Sequence, residues 1–201
     1  MSHDHYLIPA QHQGLEKNLA YTFVCDSVEE AEDCFVDAKE RLLDVNSWNK
    51  YSQINDIEFR LQDAHGREAH RHARRGDHIR LAAATLSVGR VEEFDWVAIE
   101  AIEYDDYPDQ GMETFGMRLH PCATPAGNLG PNAPYSLTDN ATSTLVIQRR
   151  GRKLSATYHG RNEPIQATTG SPADDHCWLG LSELQWANLV TGIGETNMVR
   201  R

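Results

Sequence analysis

Three side chains that could take part in acid–base or ion-pair chemistry stand inside apolar stretches of the sequence. In "EEFDWVAIEAIEYDD", Glu100 shares its parity with Trp96 and Tyr104. A carboxylate surrounded by aromatic side chains has a raised pKa and can serve as a general acid or base. In "METFGMRLHP", Arg118 and His120 share one parity, and the opposite parity is apolar. We therefore predict Glu100 and His120 as candidate catalytic residues.

Further polar and aromatic side chains could orient a ligand on the same sheet. The segment "YHGRNE" places Tyr158, His159, Arg161 and Glu163 at the end of a predicted strand. A mostly apolar pocket uses a few convergent polar groups of this kind to orient its ligand. The predicted ligand-binding residues are Trp96, Arg118, Tyr158 and His159. The alternative is that these side chains face water, because antiparallel sheets commonly have one solvated face.

The segment "HGREAHRHARRGDHIRL", from His65 to Leu81, concentrates histidine and arginine in an acidic chain. His70 and His72 would point to the same side of an extended chain, which is a common placement of metal ligands. Metal binding needs at least a third donor, and the neighbouring arginines oppose a divalent cation. We predict no metal site here and interpret the segment as a solvated loop between two strands.

The arginines of this segment also allow a different interpretation, an anion-binding rim built from two loops at one end of the sheet. Its residues would be Arg67, Arg71, Arg74 and Arg75 in the first loop, and Arg149, Arg150, Arg152 and Lys153 in the second. The formal net charge of -11 makes a solvated face the simpler interpretation.

The composition argues against several classes of protein. With 19 Lys+Arg against 30 Asp+Glu, the chain would repel a polyphosphate, so we predict no nucleic-acid binding. No run approaches the roughly 18 apolar residues of a membrane-spanning helix, and the first residues lack a signal-peptide pattern. The sequence therefore predicts a cytoplasmic protein without a membrane span. No Walker loop, GxGxxG, GxSxG or HExxH motif is present, and no cofactor is predicted.

The elements that must position these residues alternate between strands and helices. The segment "LAYTFVCD" has the alternation and composition of a strand. Ser27 and Glu30 then form a capping box that begins an amphipathic helix. Alternating segments after Trp48 predict about six antiparallel strands. Ser182 can cap a shorter final helix, which Gly194 ends.

The predicted domain organisation is simple. A flexible N-terminal arm covers residues 1–18, a single α+β domain covers 19–194, and a tail covers 195–201. At 201 residues the chain is long enough for one domain with a sizeable core. The order of elements places the helices on one face of a curved antiparallel sheet.

This element order and the segment "LLDVNSWNKYS" resemble the START-like, or SRPBCC, superfamily of polyketide cyclases and lipid-transfer domains. The resemblance covers residues 19–194 and implies a helix-grip fold. In that fold a bent antiparallel sheet grips the C-terminal helix, and an apolar cavity lies between them. The short final helix and the long loop around Pro125 to Pro134 depart from the family pattern. Both features bear on the size and closure of a cavity.

Two functions follow from these patterns. In the first, the START-like domain holds a small apolar molecule, a lipid or an aromatic compound, between sheet and terminal helix. It would act either as a binding protein or as a cyclase-like enzyme that uses Glu100 or His120 as acid or base. In the second, the protein is an interaction module without a cavity. Its basic loops, which include Arg74 and Arg75, would then bind an acidic partner.

Overall fold

The computed structural model describes residues 7–83, 94–122, 125, 140–163 and 181–195. Its strands are β1 Leu15–Val24, β2 Ile57–Gln62, β3 His78–Ala83, β4 Phe94–Tyr107, β5 Met112–Pro121, β6 Thr142–Arg150 and β7 Lys153–Glu163. Its helices are α1 Val28–Leu43, α2 Trp48–Ser52 and α3 Glu183–Gly194. The strands form one antiparallel sheet in the order β1-β7-β6-β5-β4-β3-β2. From β2 to β7, each strand therefore pairs with the next strand in the chain.

Both long helices begin at the serines that the sequence indicates. The Ser27 hydroxyl accepts a hydrogen bond from the Glu30 backbone N–H at 3.0 Å, and the Glu30 carboxylate accepts one from the Asp26 N–H. Ser182 and Gln185 form a complete capping box at the start of α3. These contacts satisfy N–H groups that have no partner inside the helix.

The apolar sides of α1 and α3 pack on one face of the sheet, which we call the inner face; the opposite face is the outer face. Strand side chains of alternating parity meet the helices in one buried cluster. The cluster includes Phe35, Ala38 and Leu42 from α1, Trp186, Leu189, Val190 and Ile193 from α3, and Met117, Leu119, Leu145, Ile147, Ala156 and Tyr158 from the strands. The predicted α+β helix-grip architecture, with an antiparallel sheet holding the C-terminal helix, is confirmed.

The described part of the predicted N-terminal arm lies against the sheet. β1 begins at Leu15, so the last four residues of that predicted arm belong to a strand. Leu7 is completely buried, and its side chain lies over Gly116 on the outer face of β5. A side chain at position 116 would overlap the Leu7 side chain, so the glycine makes this close approach possible.

The loop between β2 and β3 contains the histidine and arginine segment; most of its residues are exposed, as the sequence predicts, but a few of them pack against the fold. Asp77 is buried and accepts two hydrogen bonds from the Arg71 guanidinium, at 2.6 and 2.9 Å. The Arg74 N–H donates to the same carboxylate at 2.8 Å. The Ala73 N–H donates to the Leu43 carbonyl at the end of α1. A half-buried ion pair and backbone hydrogen bonds therefore attach this mostly exposed loop to the fold.

Candidate functional site

A β-bulge in β4 decides where several predicted site residues lie. Ile99 pairs with Leu119, but Ala101 pairs with Arg118, so Glu100 is an extra residue in the ladder. A bulge shifts the alternation of side chains by one residue. The face on which β4 side chains lie therefore changes at Glu100.

The bulge separates Glu100 from Tyr104, one of the two aromatic side chains that were expected beside it. Trp96 and Glu100 lie on the outer face, whereas Tyr104 lies on the inner face. There the ring of Tyr104 contacts Phe35 of α1, with 6.4 Å between the ring centroids, and its hydroxyl donates to Glu113. The predicted aromatic environment of Glu100 is therefore wrong.

On the outer face Glu100 forms an ion pair with Arg118. The Nε of Arg118 donates to Glu100 Oε2 at 3.0 Å, and its Nη1 donates to the Leu7 carbonyl at 3.2 Å. The Glu100 side chain is 37% exposed. The guanidinium is thus used to pair a carboxylate and to hold the N-terminal segment on the sheet.

The two predicted histidines also lie on the outer face and have local partners. His120 Nδ1 is 3.0 Å from the Ala141 carbonyl, which requires a proton on Nδ1. His159 lies between the Asn18 side-chain oxygen, at 2.8 Å, and the Thr157 hydroxyl, at 2.9 Å. Of the predicted site residues, only Tyr158 lies on the inner face.

Tyr158 is the centre of a buried polar group between the sheet and α3, which we call the Tyr158 cluster. It consists of Ser143, Tyr158, Glu163 and Trp186, each no more than 2% exposed. The Tyr158 hydroxyl donates to Glu163 Oε1 at 2.7 Å and lies 3.2 Å from the Ser143 hydroxyl. The Trp186 indole stacks on the Tyr158 ring with centroids 4.3 Å apart. A carboxylate, a phenol and a hydroxyl therefore form a chain under an aromatic cover.

Burial raises the pKa of the Glu163 carboxyl above its ordinary value, and the charge of Glu183 acts in the same direction. The hydrogen bond from Tyr158 and the charges of Lys17 and Arg161 oppose this shift and lower the pKa. Lys17 Nζ lies 3.9 Å from Glu163 Oε2. Burial is the largest of these effects because a carboxylate loses its hydration when it leaves water.

Trp186 brings an unusual polar atom to the cluster. Its Nε1 is buried and has no hydrogen-bond acceptor among the described residues. Buried indole N–H groups usually have a partner, and leaving one without a partner costs about 1–3 kcal/mol. The cluster therefore contains one donor that is available to a bound molecule.

The inner face is closely packed away from this cluster. A gap between α1, α3 and the sheet is lined by Leu42, Leu145, Ile147, Ala156, Val190 and Ile193 together with Val146 and Thr157, and it is too small to hold a water molecule. The predicted cavity is thus not open at this position.

The basic loops are largely engaged in contacts within the protein. Arg71 pairs with Asp77, and Arg67 pairs with Asp63. Arg149 is 6% exposed and donates to Glu113 at 2.6 Å. Exposed basic side chains that have no ion pair among the described residues include Arg74, Arg75, Arg150 and Lys153. The proposed rim is therefore reduced to a few exposed cations.

Other kinds of site receive no support from the described residues. No group of three or more His, Cys, Asp and Glu side chains in this part of the chain could hold a metal ion. His72 Nε2 lies 3.4 Å from Glu40 Oε2, while His70 is exposed. Burial raises the pKa of the Cys122 thiol to about 11, so the thiol is protonated at neutral pH and a weak nucleophile. None of the helices described is both long and apolar enough to span a membrane.

Ser143 and Trp186 were not among the residues that the sequence suggested for the site, whereas Glu163 was one of the polar residues at the end of the predicted "YHGRNE" strand. Ser143 has the polarity expected of an ordinary strand residue, and Trp186 fits the apolar face of the final helix. The available signal was the placement of Glu163 five residues after Tyr158, at the end of the same strand. The turn of the chain at Asn162, which directs Glu163 back to Tyr158, cannot be derived from that spacing.

Replacing Glu163 by glutamine should change how stability depends on pH. The folded-state pKa of Glu163 lies above its usual value of 4.5, so the folded protein binds this proton more tightly than the unfolded chain does. The stability that this proton contributes is present below the unfolded pKa and is lost as the pH rises through the folded pKa. Relative to Glu163→Gln, the native protein should therefore lose stability between acidic and neutral pH.

Urea denaturation of both proteins at several pH values measures this difference. Glu58→Gln is a suitable control because the Glu58 side chain is 42% exposed at the far edge of the sheet. A difference between native protein and Glu163→Gln that does not depend on pH would contradict the prediction.

No family model matches the sequence, and no curated protein matches it. Solved structures do match it over most of the chain. The crystal structure of Ara h 8.0201 has 10% sequence identity and a TM-score of 0.39, and the match covers 89% of this chain and 95% of that chain. The structure of truncated norcoclaurine synthase from Thalictrum flavum has 11% identity and a TM-score of 0.37, with 92% and 96% covered.

Proposed function

We propose that this protein binds a small, largely apolar molecule between the inner face of the sheet and α3, and that this molecule carries a hydrogen-bond acceptor. The buried Trp186 Nε1 supports the proposal, since it has no acceptor among the described residues. A ligand oxygen beside this atom would remove the cost of the unpaired donor. The rest of the ligand would lie against the Trp186 and Tyr158 rings and the apolar side chains of α3.

The electrostatics of the Tyr158 cluster favour a neutral ligand over an ionised one. Glu163 already carries the cost of burial, and Lys17 lies 3.9 Å from its second oxygen. An additional charge in this buried place would need its own partner and would lose its hydration. A ketone, an ether or an alcohol fits these conditions better than a carboxylate or an amine does.

The two ends of α3 are held differently, which suggests where a ligand would enter. At the C-terminal end, the Arg41 guanidinium donates to the Gly192 carbonyl at 2.9 Å. At the N-terminal end, Gln185 donates to Asp56 at 2.8 Å in an exposed hydrogen bond. An exposed hydrogen bond is easily replaced by water. We infer that the N-terminal end of α3 moves and that the ligand enters beside Trp186.

Calorimetric titration with two matched probes tests the proposal. The probes are 2-acetylnaphthalene, which has a ketone acceptor, and 2-ethylnaphthalene, which has the same shape without it. Native protein should bind the ketone about fivefold more tightly, because one hydrogen bond contributes about 1 kcal/mol. Trp186→Phe keeps an aromatic ring but has no N–H, so it should bind the two probes equally.

Trp96→Phe is the matched control, because Trp96 lies on the outer face and should leave both affinities unchanged. If neither probe binds the native protein, the binding proposal is wrong. If both probes bind with equal affinity, the polar anchor at Trp186 is wrong. Native mass spectrometry of the purified full chain would in addition show whether an apolar molecule copurifies and is lost on denaturation.

Glu100 and His120 would not contact a ligand bound at the Tyr158 cluster. Glu100 is paired with Arg118, and His120 is bonded to the Ala141 carbonyl, both on the outer face. The Tyr158 cluster lies on the opposite side of the sheet. A ligand at that cluster would therefore meet Glu163 and Tyr158 as the nearby groups able to exchange a proton.

A further inference from the structure

Asn162 connects the outer face of the sheet to the Tyr158 cluster. It has a φ of 56°, in the left-handed region that residues other than glycine seldom adopt, and it is 2% exposed. The residue that follows it, Glu163, carries its carboxylate to the inner face and accepts the hydrogen bond from Tyr158. The backbone conformation at Asn162 thus determines the direction of Glu163.

The N-terminal segment, residues 7–14, holds Asn162 by four hydrogen bonds, three of them to main-chain groups of the segment. The Asn162 side-chain oxygen accepts from the His12 N–H at 2.7 Å and from the Gln13 N–H at 3.2 Å. Its side-chain nitrogen donates to the Ala10 carbonyl at 3.2 Å. The Asn162 backbone N–H donates to the Gln11 side chain at 2.9 Å. An uncommon backbone conformation persists only where surrounding contacts hold it. Here most of those contacts come from the N-terminal segment, and one more is the hydrogen bond that the Asn162 side-chain nitrogen donates to the Asn140 carbonyl at 3.2 Å.

The other end of the N-terminal segment is fixed on the middle of the sheet. Leu7 is buried over Gly116, and its carbonyl accepts a hydrogen bond from Arg118 at 3.2 Å. The segment therefore spans the outer face from β5 to the end of β7 and is held at both ends. Since the Arg118 guanidinium is also paired with Glu100, this ion pair supports the segment.

We propose that the N-terminal segment is a positioning element for the Tyr158 cluster, and that it acts by holding Asn162 so that Glu163 faces Tyr158. This inference rests on the proposed function only for its effect on ligand affinity. The position of Glu163 itself can be measured without a ligand. The charged groups that act on Glu163 are Lys17 on β1, Arg161 on β7 and Glu183 on α3.

Asn162→Gly is the informative variant, because glycine adopts a positive φ without strain but removes the side-chain hydrogen bonds. The readout is the titration of the Glu163 carboxyl, followed by NMR of glutamate-labelled full-length protein and assigned with Glu163→Gln. In Asn162→Gly, Glu163 should become more exposed and titrate nearer to an ordinary glutamate. The affinity for 2-acetylnaphthalene should fall by at most about fivefold, because Glu163 holds the Tyr158 ring on which Trp186 stacks.

Two further variants make the result specific. Leu7→Ala loosens the far end of the N-terminal segment without touching Asn162 and should shift the Glu163 titration in the same direction, by a smaller amount. Thr157→Ala removes a side-chain hydrogen bond from the same strand and the same outer face, and it should leave the titration unchanged. If Asn162→Gly does not fold, Leu7→Ala carries the test.

The outcomes separate this inference from the proposed function. A Glu163 titration that is the same in native protein, Asn162→Gly and Leu7→Ala overturns the positioning role, even if the native protein binds the ketone probe. A titration that shifts in a protein that binds neither probe supports the positioning role and overturns the proposed function.

Discussion

Gly192→Ala is expected to lower the free energy of unfolding by about 3 kcal/mol, near the upper end of the usual cost of overpacking a core. Gly192 lies in α3 where that helix crosses α2. A Cβ at this position would overlap the main-chain carbonyl of Tyr51 and lie 2.8 Å from the Ser52 nitrogen. Main-chain atoms cannot rotate away as a side chain can, so α3 would have to move from α2.

Gly194→Ala is the matched control, two residues further along the same helix. Its added Cβ would lie 2.8 Å from a ring carbon of Tyr21 and 3.0 Å from the Ala156 Cβ, which are side-chain atoms. Both variants gain the higher helix propensity of alanine, so their difference reports the contact with α2. Urea denaturation followed by circular dichroism measures both values. Equal effects in the two variants would contradict the prediction.

The elements of this fold are largely predictable because their patterns are local. β5 has the same bounds as the alternating segment "METFGMRLHP", and α1 begins at the Ser27 cap that precedes its apolar repeat. Alternation and capping depend on residues within one turn or one strand. The order of such elements was enough to predict an antiparallel sheet that holds a C-terminal helix.

The faces of the sheet were less predictable because a single bulge changes them. Glu100 and Tyr104 are four residues apart, so in a regular β-strand their side chains would lie on the same face of the sheet. In the structure, Glu100 is the extra residue of a bulge, and Arg118 pairs with Ala101 across the ladder. No local pattern in "WVAIEAIEY" marks the bulge, since both parities of this segment are apolar. The predicted acid–base residue Glu100 therefore lies on the opposite side of the strand from Tyr104, although it shares a face with Trp96.

Contacts between distant parts of the chain account for the other differences. The arginine-rich loop is mostly exposed, as its charge predicts, but Asp77 pairs with Arg71 inside it and the Ala73 N–H attaches it to the end of α1. The N-terminal segment was predicted to be flexible from its polar composition. Its partner Asn162 lies about 150 positions away in the sequence, beyond the range of pattern analysis.

Trp186→Ala should have the largest effect of the substitutions considered, a loss of about 3–5 kcal/mol in the free energy of unfolding. Trp186 is 1% exposed and stacks on Tyr158, so its removal leaves a large cavity between α3 and the sheet. Trp186→Phe should be much less harmful. It loses part of the ring volume but also removes an N–H that has no acceptor among the described residues, which offsets about 1–3 kcal/mol.

The comparison of these two variants distinguishes packing from the unpaired donor. If the indole N–H is unsatisfied in the absence of ligand, Trp186→Phe should unfold at nearly the same urea concentration as native protein. If Trp186→Phe instead loses most of what Trp186→Ala loses, the N–H has a partner in the free protein, and the argument for a ligand acceptor fails. When the N–H is unsatisfied in the free protein, a saturating ketone probe should raise the unfolding midpoint of native protein more than that of Trp186→Phe, because the ketone binds more tightly to the protein that offers it a donor.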